Sequence, residues 1–183
     1  MERLKTKVDW VLDQHRGTNH MYDKYLPYEF HLRMVAENYN MFKHLLSNDH
    51  GIIDNQVNVY LACWGHDLIE DTRVSYNDTM EELGECAADI IYAVSNEKGK
   101  NRAERANDKY YEGIRNQPGA VFVKLCDRMA NVQYSKMSGS RMFEMYKKEN
   151  SNFMEKLGLG WTGSGSHELT PLFAYLIGLF ESK

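Results

Sequence analysis

Apolar residues recur at helical spacing along most of this chain. Residues 31–46 place Leu32, Val35, Ala36, Tyr39, Phe42, Leu45 and Leu46 on one face. The stretch 55–70 repeats the pattern with Val57, Tyr60, Leu61, Trp64 and Leu68, after a candidate cap at Asp54. Ser75-Tyr76-Asn77-Asp78 reads as an S-x-x-D helix start, and the short helix it opens should stop at Gly84. Further helices are expected over about 85–94, 102–115, 119–137, 141–157 and 168–181. The three prolines, at 27, 118 and 171, fall between these segments or in the opening turn of the last one, where helices tolerate proline. The polar run NEKGKNR and the glycine- and serine-rich LGLGWTGSGSHE read as connectors. With no period-two alternation and no internal repeat, the pattern predicts an all-α helical bundle forming a single domain over 1–183.

Composition narrows the class. A chain of 183 residues with 43% apolar and 26% charged residues is ordinary for one globular domain. A net charge of −4 argues against a general nucleic-acid binder, which would carry a basic stripe. The N-terminal MERLKTKVDWVLDQH lacks the uninterrupted apolar core of a signal peptide, and no run approaches the roughly 20 apolar residues of a membrane span. Cys63, Cys86 and Cys126 are far apart and odd in number, so buried reduced thiols in a cytoplasmic protein are expected.

Three segments carry candidate chemistry. On a continuous helix, HDLIED at 66–71 would bring His66, Asp67 and Glu70 to one face, with Asp71 flanking it. Adjacent His and Asp offer a nitrogen and an anionic oxygen, a set that suits Mn²⁺, Fe²⁺ or Zn²⁺. Two further carboxylates demand solvent or a cation for relief. The helix expected at 119–137 has an apolar stripe of Phe122, Leu125, Met129 and Val132 and a polar one of Lys124, Asp127 and Asn131, with Arg128 beside it. Because the rest of that helix is so apolar, the polar stripe needs partners. Pro27-Tyr28-Glu29-Phe30-His31 delivers a histidine from a turn to the start of a helix.

Taken in order, P-Y-x-x-H (27–31), H-D-L-I-E-D-T (66–72), E-L-G-E-C-A-A-D-I-I-Y-A-V-S (82–95) and V-K-L-C-D-R-M-A-N (123–131) resemble the HD phosphohydrolase superfamily. Within it they look most like the (p)ppGpp-hydrolase domain of RelA/SpoT proteins and the stand-alone small alarmone hydrolases. The likeness covers roughly 10–135, leaving C-terminal helices over about 141–182 outside it. It implies an HD-domain bundle with His31, His66, Asp67 and Asp127 as metal ligands and Mn²⁺ as the usual metal. Glu70 and Asp71 would orient and deprotonate the attacking water, and Asn131 would contact the nucleotide sugar. Lys24, Lys124 and Arg128 are candidates, by charge and position, for neutralising substrate phosphates. A divalent cation polarises phosphoryl oxygens and acidifies water, while a nearby carboxylate accepts the proton.

Two segments depart from the family pattern. The R-K-S-G-type segment before P-Y-x-x-H is replaced by Asn19-His20-Met21-Tyr22-Asp23-Lys24-Tyr25-Leu26, and M-R-T after Asn131 becomes Val132-Gln133-Tyr134. The expected reaction is removal of the 3′-pyrophosphate of (p)ppGpp-like alarmones by metal-activated water. No nucleotidyl-synthesis domain follows, so the expected activity is degradative. A 5′-nucleotidase or other nucleotide phosphohydrolase on the same scaffold, and a nucleotide-sensing module without turnover, stay open. Lys124 and Arg128 also admit a reading as structural ion-pair partners. His15, His20, His44, His50 and His167 read as packing or surface residues, and the tryptophans and tyrosines as core and rim. The terminal ELTPLFAYLIGLFESK is apolar enough to cover the pocket or to join subunits in a homo-oligomer.

Overall fold

One helix organises the others. In the computed structural model, which describes residues 2–46, 53–95, 99–158 and 169–181 and omits the side chains of 53–55 and 102–103, α9 (Ala120–Met137) runs through the middle of the bundle. It packs against α2 (Glu29–Phe42), α3 (Ile53–Gly65), α6 (Glu85–Val94), α8 (Asp108–Asn116), α10 (Met142–Leu157) and α11 (Thr170–Glu181). Its expected apolar stripe is sealed: Phe122 is 1% exposed and Leu125, Met129 and Val132 are 0%. Burying each such side chain contributes about 1.5–3 kcal/mol. Asn38 of α2 and Gln133 of α9 exchange amide hydrogen bonds of 3.2 Å, so the polar residues at this seam are satisfied. Every element named above is helical; an isolated antiparallel bridge joins Met21 and Pro27.

The local signals acted largely as expected. Ser75 and Asp78 close a full capping box on α5 (Tyr76–Leu83), and the chain leaves that helix at Gly84 with φ 98°, a conformation that disfavours side chains with a Cβ. Helix α3 begins at Ile53, one residue before the expected cap at Asp54, whose side chain is outside the described residues. Residues 159–168, expected as a connector and including Trp161 and His167, and His50 are also outside them. Helix α1 (Glu2–Gly17) was not anticipated, because only Val11, Leu12 and His15 are buried on an otherwise charged segment. It packs on α3 and on α4 (Leu68–Asp71).

Two expected helices are each broken. The polar stretch 102–115 divides into α7 (Arg102–Arg105) and α8, because the Asn107 side chain accepts the Tyr110 amide at 3.0 Å and caps a new start. The stretch 55–70 divides at His66 and Asp67, where Asp67 adopts φ −105°, ψ 8°. His66 Nδ1–H donates to the Cys63 carbonyl at 3.0 Å, and ordinary helical bonding resumes with Asp71 N–H to the Asp67 carbonyl at 2.9 Å. The break turns His66 into the protein, 1% exposed, while Glu70 and Asp71 stay exposed. The continuous face expected for HDLIED is therefore replaced by two levels, one deep and one at the surface.

Gly65 permits this turn because α3 and α6 approach closely there. A Cβ at Gly65 would lie 2.8 Å from Ile91 Cδ1 and 3.0 Å from Leu68 Cδ1. Gly65→Ala is therefore expected to destabilise the fold by about 1–3 kcal/mol through overpacking, read from urea denaturation. An unchanged midpoint would show that Ile91 and Leu68 can yield without cost.

Candidate metal centre and active site

His31 sits in the first turn of α2, His66 and Asp67 in the break between α3 and α4, and Asp127 halfway along α9. α2, the α3–α4 break and α9 bring the four side chains together. The two Nε2 atoms of His31 and His66 lie 3.2 Å apart. Asp67 Oδ2 is 2.9 Å from His66 Nε2 and 3.9 Å from His31 Nε2. Asp127 Oδ1 is 3.4 Å from His31 Nε2 and 3.8 Å from His66 Nε2. Donor atoms of His31, His66 and Asp67 all fall within 4.8 Å of one another, a metal-type grouping.

The donor set fits a divalent cation. Since His66 gives its Nδ1–H to Cys63, its Nε2 lone pair points inward, the arrangement in which metal-binding histidines are usually held. Two inward nitrogens at 3.2 Å repel unless a proton or a cation relieves them. Without a metal ion, that relief is protonic. Burial opposes a charge on His66, but Asp67 and Asp127 outweigh it and raise the imidazole to about 9. Burial likewise pushes the Asp127 carboxyl upward, yet Lys124 Nζ at 3.0 Å and the two imidazoles hold it well below the carboxylate range. Asp67 is held low by His66 in the same way, against its burial. Tyr28 donates its hydroxyl to Asp67, and burial followed by that carboxylate drives the phenol far up, so it remains a donor.

A second layer fastens the first. Asn131 Nδ2 donates to Asp127 Oδ1 at 2.5 Å, and Tyr22 O–H donates to Asn131 Oδ1 at 3.0 Å. The Tyr22 ring stacks on His31 with centroids 4.8 Å apart. Tyr134 donates to Asp23, whose carboxylate also accepts the Tyr25 and Leu26 amides at 2.7 and 2.8 Å. Within 19–26, Tyr22 thus packs against the cluster, and Tyr134 fastens that segment through Asp23.

Above the cluster opens a cavity of about 530 Å³. Asp67, Glu70, Asp71, Lys124, Asp127, Arg128 and Asn131 line it, as does Tyr28, so most of the expected site residues share one space. His31 and His66 lie beneath its floor. Lys24 does not reach it: the Asp23 turn leaves this lysine exposed, its Nζ 5.2 Å from the Tyr25 ring. Lys124 and Arg128 are both ion-paired and cavity-lining. Arg128 is 8% exposed, its guanidinium 4.8 Å from the Tyr146 ring and 4.0 Å from Phe153, with Nη1 3.5 Å from Glu149. Of the cysteines, Cys63 and Cys126 are buried, but Cys86 is exposed on α6, contrary to expectation; all three are free.

Several lining residues escaped the sequence reading. Tyr146, Glu149, Phe153 and Lys156 of α10 face the cavity together with Arg105 at the end of α7. Their spacing along α10 is helical, and that was the available signal; it marks a face without saying what the face meets. Their position answers what the segment after 140 does: α10 walls the cavity, while α11 packs on α9.

Fold and cluster together define an all-helical bundle with a buried His/Asp grouping beneath a polar cavity. The same fold occurs in a solved structure described as a metazoan ortholog of SpoT that hydrolyses ppGpp and plays a role in starvation responses. Its TM-score is 0.67 at 18% identity, covering 98% of this chain and 97% of that one. The curated relatives are guanosine-3′,5′-bis(diphosphate) 3′-pyrophosphohydrolases named MESH1. The Danio rerio protein is 28% identical over 130 residues, 71% of this chain and 67% of the relative. The Homo sapiens protein is 25% identical over 131 residues, 72% of this chain and 68% of the relative. No protein-family model matches the chain. Among the described residues no helix is long and apolar enough to cross a membrane.

Next to the cluster, His15 is 2% exposed and stacks against Tyr28 and His20. Burial, reinforced by the neighbouring imidazoles of His66 and His20, lowers it from 6.5 to about 4 despite the opposing pull of Asp67. Between those values the unfolded chain binds a proton that the native state refuses, so stability should fall as pH falls from 6.5 towards 4. The loss attributable to His15 is up to about 3 kcal/mol at 1.36 kcal/mol per pH unit. Denaturant titrations at pH 7 and pH 4.5 should show a smaller drop for His15→Phe than for the native sequence. Equal drops would mean that His15 takes up its proton in the folded state.

Proposed function

We propose that this chain is a divalent-metal-dependent phosphohydrolase that removes the 3′-pyrophosphate of (p)ppGpp-like nucleotides. His31, His66, Asp67 and Asp127 hold the metal, Mn²⁺ on this reading, and Glu70 and Asp71 manage the proton of the attacking water. The observation that carries the proposal is the convergence of two imidazole nitrogens and two carboxylates under a cavity whose lining includes Lys124, Arg128 and Lys156. The activity in the names of the MESH1 relatives and the fold shared with the ppGpp-hydrolysing SpoT ortholog support it.

A divalent cation bound there would supply a Lewis acid for the phosphoryl oxygens and acidify water. The rest is work for side chains. Asp71 is a suitable proton acceptor because burial, with the charges of Asp67 and Glu70, raises it to about 7, so it is partly ionised near neutrality and basic enough to take a proton. Glu70 lines the same mouth of the cavity. Lys124, held charged against its burial by Tyr110 and Asp127, and the aromatic-flanked Arg128 offset phosphate charge. Asn131 remains a cavity-lining amide suited to a sugar hydroxyl, and its bond to Asp127 couples that contact to the metal ligand. The cavity volume of about 530 Å³ is in the range of small-molecule sites. The chain acts as one domain on this reading, α10 completing the wall and α11 packing on α9.

Turnover with Mn²⁺ should be compared for ppGpp, GMP and dAMP, with products identified by mass. Pyrophosphate release from ppGpp is expected; phosphate from monophosphates alone would place the chain with the nucleotidases, and bound but unchanged nucleotide would make it a sensor. Asp127→Ala should lose bound metal, read by elemental analysis, together with turnover. Full activity in that variant would remove Asp127 from the ligand set. Glu70→Gln should keep its metal while kcat falls about 10²–10⁴-fold, the usual range for loss of an acid–base group.

A further inference from the structure

His15 and His20 have no part in the reaction described above, yet they lead straight to one of its residues. His20 lies flat on Tyr28, the ring centroids 3.7 Å apart and the planes 14° from parallel. Its backbone carbonyl accepts the Tyr28 amide at 3.1 Å, and its own amide donates to the His15 carbonyl at 3.2 Å. The Nδ1 atoms of the two histidines are 3.3 Å apart, and His20 Nε2 faces Asp71 Oδ2 at 3.8 Å. Tyr28, between them, donates its hydroxyl to Asp67.

The proton positions follow from burial. Two facing Nδ1 atoms need one donor and one acceptor. His15 Nε2 is buried and has no hydrogen-bond partner. An N–H there would forfeit a full hydrogen bond, whereas a bare lone pair loses less, so the His15 proton belongs on Nδ1. That N–H then donates to His20 Nδ1, and His20 must carry its own proton on Nε2, directed at Asp71. The fixed order is His15 to His20 to Asp71.

We propose that His20 is a positioning residue for Asp71: its Nε2–H, with the tautomer imposed by His15, points its dipole at the Asp71 carboxylate 3.8 Å away and biases it, from the protein side, to face the cavity. The proposal rests on the reading of Asp71 as a proton acceptor. Its sequence signal was a histidine in the segment that departs from the family pattern, where no basic residue reaches the cavity.

Two measurements on the full chain test it. Nitrogen-15 NMR of the Mg²⁺-loaded protein, with His15 and His20 assigned by substitution, should show His20 protonated at Nε2 and bare at Nδ1. The opposite tautomer would overturn the proposal whatever the activity. In kinetics with ppGpp and Mn²⁺, His20→Phe keeps a ring on Tyr28 and should keep the bound metal and KM, while kcat falls about 10-fold or more. His20→Gln, whose amide reaches the place of Nε2, should restore most of kcat. His20→Asn, with its amide too short, should not, and it takes the place of His20→Phe if that variant fails to fold. In the Asp71→Asn background, His20→Phe should add no further loss, since both act at one point. Native kcat in His20→Phe, or losses that multiply in the double variant, would sink the proposal. Asp71→Asn with native activity would instead sink the assignment of Asp71 itself, which separates the two failures.

Discussion

Two carboxylates and two imidazoles share a few ångströms of an interior that gives them little water, and the surrounding structure answers that constraint. Asp67 and Asp127 stay ionised only because positive charge and donors are built around them: Lys124 one helical turn before Asp127, a proton on His66, the Tyr28 hydroxyl and the Asn131 amide. Lys124 and Asn131 come from α9 itself, His66 from the α3–α4 break and Tyr28 from the start of α2. A charged group buried without its partners costs several kcal/mol, so the cluster ties α2, the α3–α4 break and α9 together. A divalent cation bound there would take the place of the His66 proton, so metal binding and protonation would compete at this centre.

The cavity above has two characters. Its floor is anionic and belongs to the parts of the chain that carry the recognisable motifs. Its far wall, from α8, α10 and the outer edge of α9, is aromatic and carries basic side chains, with Arg128 packed between Tyr146 and Phe153 beside Glu149 and Lys156 above Tyr111. A polyanionic nucleotide suits the combination, since the floor would hold a cation and the wall presents fixed positive charge to phosphates. The segment 19–26, by contrast, has been drawn inward: Tyr22 stacks on His31, His20 covers Tyr28, and Asp23 ends in a turn that keeps Lys24 away.

Some features were legible because they are local. The Ser75–Asp78 capping box, the stop at Gly84 and the sealed stripe of α9 each depend on residues within a few positions of one another. Others failed for equally local reasons. Asn107 looked like one more polar residue in a helical run until its side chain captured the Tyr110 amide. Helix α1 lacked a clear stripe because few of its residues meet the core. Cys86 lies in an apolar stretch, but on the outer face of α6, and periodicity alone does not say which side of a short helix is covered.

The sequence by itself determined the helical class, the order of the elements and the residue types of the cluster, because helix periodicity, capping and the His-Asp motifs are written at short range. It named His31, His66, Asp67 and Asp127 without fixing how they meet. Tertiary structure decided the break at His66, the exclusion of Lys24, the wall supplied by α10 and the line from His15 through His20 to Asp71. These depend on groups far apart in sequence, or on backbone turns set by what packs against them, such as the close approach of α6 to Gly65. A side chain's chemistry is local, but its charge state, direction and partners are properties of the space it is folded into.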